Sequence, residues 1–119
     1  MKDRVIVTMV IGDKYKALWK VTEESMEAYA DKVGADMIVL ESNPHSNVTP
    51  HWAKFALHNI LHKMYRRAAW VDADIIIRPD APDLFDLVPE DKLGIFNEGR
   101  FTSRAMALYE AMFAYKVAL

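Results

Sequence analysis

The segment Trp70-Val71-Asp72-Ala73-Asp74-Ile75-Ile76-Ile77 sets two carboxylates one residue apart inside an apolar run. On a strand, side chains at i and i+2 point to the same face, so Asp72 and Asp74 would share a face with the small Ala73 between them. An ionised carboxylate among β-branched residues loses several kcal/mol of hydration unless something replaces it. A divalent cation that also holds a phosphorylated ligand is a common replacement, with carboxylate oxygens on one side and phosphate oxygens on the other. The plain alternative is a solvated strand end in which one acid caps a turn. The flanks, Val71 before and three isoleucines after, favour burial and therefore the cation. Two aspartates after an apolar strand also serve some phosphatases as nucleophile and acid, but there the pair follows the first strand, whereas here it follows the third.

The elements that must position this pair read as alternating strands and helices. Residues 5–11 are β-branched and almost continuously apolar, as in a strand covered on both faces, and Gly12-Asp13 ends it. From residue 14 to 33 the apolar positions Leu18, Val21, Met26, Tyr29, Ala30 and Val33 take helical spacing, with Gly34 as a natural C-terminal stop. Residues 36–40 form a second short strand and residues 41–50, rich in Ser, Asn and Pro, a loop. Residues 51–67 are helical again, with Trp52, Ala53, Ala56, Leu57, Ile60, Leu61 and Met64 on one face. Residues 68–77 make the third strand, with both acids in its C-terminal half. Pro79, Pro82 and Pro89 punctuate the next stretch, around a short Leu84-Phe85 anchor. Residues 93–96 suit a fourth strand and residues 101–117 a last helix. The order predicts an α/β domain with a largely parallel sheet and helices on its faces, in which ligands bind beyond the carboxyl ends of the strands.

Bulk properties exclude several classes. The 119 residues suit one domain, residues 1–119, and 52% hydrophobic content supplies a core. A net charge of −2 with both signs interspersed gives no basic stripe for nucleic acid and no basic amphipathic helix for a membrane surface. Cysteine is absent, so disulfides and thiolate metal sites are excluded. The apolar run near the N-terminus is too short for a secretion signal or a bilayer span, and the chain reads as soluble and cytoplasmic.

Other candidates carry weaker signals. His58 and His62 stand at i and i+4, a spacing that can hold zinc. No Glu follows His58, and both lie opposite the apolar face of their helix, so they read as exposed histidines. Glu98 and Arg100 fall in a loop after Asn97, with no role assigned. The last helix, with Tyr109, Phe113 and Tyr115, reads as core or as an interface between copies, so a homo-oligomer is a further expectation.

The ordered set of motifs resembles the N-terminal, donor-binding half of a GT-A glycosyltransferase, and within that fold glycosyltransferase family 8, the glycogenin-like enzymes. Val7-Thr8-Met9-Val10-Ile11-Gly12-Asp13-Lys14-Tyr15 resembles the family's first strand and turn, and Trp70-Val71-Asp72-Ala73-Asp74 its metal motif. Pro79-Asp80-Ala81-Pro82-Asp83-Leu84-Phe85-Asp86 resembles the family's next segment. Trp52-Ala53-Lys54 is similar to the Trp-x-Lys of the family 34 galactosyl- and xylosyltransferases. The resemblance spans roughly residues 4 to 98. It implies a three-layer, Rossmann-like sheet of GT-A type, truncated relative to the family, whose fold continues beyond the equivalent of Leu119. It also implies transfer of a sugar from a nucleotide-diphosphate sugar, UDP-sugar before GDP-sugar, to a hydroxyl acceptor. The residues implied at the donor are Thr8, Met9 and Ile11 along base and ribose, Tyr15 stacked on the base, Lys54 at the sugar or diphosphate, Asp72 at the ribose, and Ala73 between the two acids. Asp72 and Asp74 would hold Mn²⁺ or Mg²⁺. The competing class is a non-catalytic nucleotide-binding or interaction module that kept the strand pattern.

Overall fold

The computed structural model describes residues 1–43, 54 and 57–95. Three strands and three helices are present among them: β1 (Lys2–Met9), α1 (Asp13–Lys32), β2 (Asp36–Leu40), α2 (Leu57–Leu61), β3 (Tyr65–Trp70) and α3 (Leu84–Leu87). The strands form an all-parallel sheet in the order β2-β1-β3. The chain is therefore α/β, as its alternation of elements requires. No described helix is long and apolar enough to cross a membrane.

The central strand explains the sheet. Val5, Ile6, Val7 and Thr8 are fully buried, because β1 has a neighbour on each edge and a covered surface on each face. Alternation divides its side chains. Ile6 joins Met26, Tyr29 and Ala30 of α1 and Val33 just after it, together with Val71 and Phe85, on one face. Val5 and Val7 join Leu61 of α2 and Tyr65 on the other. The β1–α1–β2 connection moves to one side of β1. The β2–β3 connection moves to the other side, with α2 on the opposite face, so both connections have the same hand.

Helix α1 begins where β1 ends. Gly12, at φ +86°, makes the turn and Lys16 N–H donates to its carbonyl at 3.0 Å. The helix stops at Gly34, φ +65°, where Ala35 N–H donates to the Ala30 carbonyl at 2.9 Å and Gly34 N–H to that of Asp31 at 3.2 Å. This is the glycine stop expected from the sequence, in its Schellman form. The buried stripe of α1 differs from the expected one: Val21 is 68% exposed and Thr22 takes the inward position. Thr22, Met26, Tyr29 and Val33 keep three- and four-residue steps, whereas Val21 lies about 100° around the helix from Thr22.

Several sequence boundaries need correction. β1 spans Lys2–Met9 rather than residues 5–11, because Lys2 and Arg4 pair with Tyr65 and Arg67 of β3. Among described residues the helix expected over 51–67 covers only Leu57–Leu61, and Tyr65, Arg66 and Arg67 belong to the strand. Residues 93–95 form no strand, and Leu93 and Ile95 are exposed. Residues 44–50 of the loop expected over 41–50, Trp52, Ala53 and Ala56 of the expected helix, Phe96, the candidates Glu98 and Arg100, and the helix expected at 101–117 lie outside the described residues.

After β3 the chain turns and runs back along α1, held by one row of side chains. Ser25 Oγ accepts from Ile77 N–H at 3.1 Å. Tyr29 donates its hydroxyl to the Pro82 carbonyl at 2.7 Å and accepts from Leu84 N–H at 2.9 Å. Lys32 donates to the carbonyls of Pro79 and Ala81 at 3.0 and 2.6 Å. The segment ends on α3, whose buried Phe85 lies under the guanidinium groups of Arg4 and Arg67, 5.2 and 5.4 Å from the ring centroid. Arg67 also donates to the carbonyls of Phe85 and Val88, and Arg4 to Asp83 at 2.8 Å. Removing the Tyr29 hydroxyl strands one donor and one acceptor. Tyr29→Phe should therefore cost about 1–3 kcal/mol in urea unfolding, and a variant within about 0.3 kcal/mol of the parent would show that the row holds nothing.

At the opposite end of the sheet from the acid pair, Lys2 Nζ and the Tyr65 hydroxyl both donate to Asp36 Oδ2 at 2.8 Å. The bond from Lys2, then that from Tyr65, lowers the Asp36 pKa. The bond to Asp36 raises the pKa of Lys2 and, with burial, that of Tyr65. A depressed carboxylate contributes stability above its unfolded pKa and loses it as pH falls through the folded one. The raised Lys and Tyr contribute below their unfolded values and lose it as pH rises through the folded ones. Stability from this triad should hold between about pH 4 and pH 10 and fall on both sides. In Asp36→Asn, chemical unfolding at several pH values should show a flatter acid limb. An unchanged limb would remove Asp36 from the acid transition.

Candidate functional site

The two acids lie on a turn rather than on the strand. β3 ends at Trp70, and the last rung is the bond from Val71 N–H to the Val7 carbonyl at 3.0 Å. Ile75 N–H then donates to the Asp72 carbonyl at 3.2 Å, closing a turn. Of the strand expected over 68–77 only residues 68–70 belong to β3, and the expected burial of the acids is overturned. Asp72 and Asp74 are exposed, while Val71 and Ala73 are 8% and 3% exposed. The physical reason is Thr22. Its buried hydroxyl donates to the Ala73 carbonyl at 2.5 Å, pulling the middle residue of the turn against α1. With Val71 and Ala73 inward, Asp72 and Asp74 point outward. The isoleucines that suggested a continuing strand leave the sheet instead, and Ile76 is 63% exposed.

Trp70 fixes the first acid. Its indole N–H donates to Asp72 Oδ1 at 2.6 Å, and its ring packs beside the cluster of Val5, Val7 and Leu61. Lys54 is exposed and its ammonium stands 5.9 Å from the centroid of the Trp70 ring, within cation–π range. Lys54, Trp70 and Asp72 thus form a chain of contacts at the carboxyl end of β3.

The residues expected from the first strand lie at the carboxyl end of β1, next to β3. Val7 pairs with Trp70, and Met9 and Asp72 each stand two residues further on. Met9, Ile11 and Tyr15 are half-buried. Thr8 is fully buried, its hydroxyl unpartnered. Alternation puts Thr8 on the Ile6 face, toward α1. Gly12 precedes the first turn of α1 without a side-chain cap, so backbone N–H groups of that turn face the same end of the sheet.

His58 is on α2 and His62 follows its last residue. Both are exposed, with rings stacked 5.0 Å apart and His62 Nδ1 at 2.7 Å from the His58 carbonyl, in keeping with their spacing opposite the apolar stripe.

A cation at the turn would find hard oxygen donors. Among the described residues no group of three or more His, Asp or Glu side chains could hold a metal by itself. Two carboxylates alone suit Mg²⁺ or Mn²⁺, which are commonly held by one or two carboxylates and completed by phosphate oxygens and water. The donor set therefore fits such an ion when a phosphorylated ligand supplies the rest.

Two contributors are not singled out by the sequence patterns. Trp70 reads there only as a motif residue, although alternation puts i and i+2 on one face and within reach. Thr22 reads as one more polar position on α1. Its three-residue step to Ser25, along the edge of an apolar stripe, is the available sign.

No protein-family profile matches the chain, and searches of curated proteins and of solved structures find no match.

If Thr22 sets the turn, Thr22→Val should cost about 1–3 kcal/mol in denaturant unfolding, because the Ala73 carbonyl loses its buried donor. Thr22→Ser should keep most of that stability, and equal losses in the two variants would assign the effect to packing instead.

Proposed function

We propose that this chain is a donor-binding domain of GT-A type, three-layered and Rossmann-like. It would bind a nucleotide-diphosphate sugar through Mn²⁺ or Mg²⁺ and belong to a glycosyltransferase that uses a hydroxyl acceptor. The observation that carries the reading is the placement of Asp72 and Asp74. They project from the turn just after β3, at the carboxyl end of a parallel sheet ordered β2-β1-β3. The strand order reverses at β1, with β2 on one edge and β3 on the other, and open α/β sheets bind ligands in the crevice at such a reversal. The motif resemblance to glycosyltransferase family 8 supplies the ligand class.

In this reading each residue has a task that its position allows. Asp72 and Asp74 offer carboxylate oxygens to the cation, which when bound offsets charge on the departing nucleoside diphosphate. Lys54 adds a positive charge beside Trp70, suited to the diphosphate or donor sugar. The uncapped first turn of α1 favours negative charge through its N–H groups. Tyr15, in that turn, offers an aromatic face to the base, and Met9 and Ile11 add apolar surface beside it. The Thr8 side chain, buried toward α1, supports the strand, and its contribution to a ligand is through the backbone.

Calorimetry with UDP and GDP, with and without Mn²⁺, tests the proposal. UDP should bind at least tenfold more tightly with Mn²⁺, and Asp74→Ala should abolish that gain. Equal binding with and without metal, or an unaffected Asp74→Ala, would overturn it.

A further inference from the structure

Helix α1 keeps one face in solvent. It packs on the sheet through Met26, Tyr29 and Ala30. The returning segment occupies one flank, at Ser25, Tyr29 and Lys32. On the far side Ala17, Val21, Glu24 and Ala28 are all exposed, Val21 by 68%. Alternating steps of four and three residues make these positions one seam, the spacing with which a helix meets another helix. Lys16, Lys20, Glu27 and Asp31 lie along one margin of the seam and are exposed as well.

The charges on this face are sorted by position. Lys16 and Lys20 stand in the first half of α1, and Glu24, Glu27 and Asp31 in the second. Asp13 and Lys32 at the extreme ends suit the helix macrodipole. The order between them opposes it. Like charges also fall four residues apart, Lys16 with Lys20 and Glu27 with Asp31, which destabilises a lone helix. Among the described residues none of these five side chains has an ion-pair partner. Within one chain the arrangement is unfavourable.

We propose that this face is a homodimer interface, in which two copies pair α1 with α1 antiparallel about a two-fold axis near the middle of the helix. Turned end for end, the face is its own complement. Lys20 meets the partner's Glu27 and Lys16 meets the partner's Asp31, and the symmetry repeats each contact. Each basic half also comes to lie beside the partner's carboxyl-terminal half, where the dipole favours cations. Ala17 and Ala28 are small enough for close approach, and Val21 is covered. A purely acidic or purely basic partner would match only half of the face, so the sorting favours a second copy. Because α1 starts at the carboxyl end of β1, antiparallel pairing sends the two acid turns to opposite ends of the dimer and leaves both open. One pair of helices falls short of the roughly 1,200–2,000 Å² that stable interfaces bury, so the dimer is a weak one that forms at micromolar concentrations.

Sedimentation equilibrium of the full chain over a series of micromolar concentrations tests the pairing. The parent chain should associate to a dimer. Association should weaken several-fold between about 0.1 and 1 M salt, as the screening length shortens from about 10 to 3 Å. Lys20→Glu alone, or Glu27→Lys alone, turns two ion pairs into like-charge contacts and should raise the dissociation constant on the order of tenfold. An equal mixture of the two single variants should dimerise as tightly as the parent chain, because each then faces its opposite charge. A chain carrying both substitutions should do the same. Recovery in the mixture also excludes misfolding as the cause of the single-variant losses. A parent chain that stays monomeric at millimolar concentration, or a dimer that either single variant leaves intact, would overturn the proposal. So would a mixture that associates no more tightly than its components.

Discussion

The hydroxyl of Thr22 on the Ala73 carbonyl is the contact on which the candidate site depends. It draws the residue between the two acids into the core, and the backbone then has one way to continue, with both carboxylates outward. The bond belongs to a larger arrangement in which α1 presents Thr22, Ser25, Tyr29 and Lys32 in one row to a chain without regular structure. A returning segment of this kind has backbone groups that no ladder satisfies. Side chains on the helix take over that work, which is why a run rich in proline can lie flat against α1.

The exposure of the acids changes the physical case for a cation. Buried carboxylates would need one to offset several kcal/mol of lost hydration. Exposed ones do not: two unit charges about 4 Å apart in water repel by only about 1 kcal/mol. The pair is stable without a partner, and binding of a cation there would depend strongly on what else arrives with the ion.

Much of the fold is legible in the sequence. The continuous apolarity of β1, the glycine stop of α1 and the short strand at residues 36–40 follow from local rules, and the parallel sheet follows from their alternation. The errors have a shared cause. Tyr65-Arg66-Arg67 looks helical and Ile75-Ile76-Ile77 looks extended, yet long-range partners decide both. Lys2 and Arg4 recruit the first trio into the sheet, with Phe85 covering Arg67. Thr22 turns the chain before the second can join. Thr22 and Ala73 are 51 residues apart, so no local window of sequence contains the decision. The acid pair is visible because its spacing is local. Its exposure is not, because burial depends on contacts made far along the chain.

The position of β1 has a consequence during synthesis. Its two edges are filled by strands made later, and the second ladder closes only when Tyr65–Trp70 has been made. At about 5–20 residues per second, the ribosome needs about 3–12 s to go from the end of β1 to the end of β3. Through that interval the most buried strand of the sheet has an open hydrogen-bonding edge, with α1 able to cover one face only. A nascent chain of this order is exposed to pairing with a neighbour's first strand on the same message, and the cell's holding chaperones have a defined segment to shield.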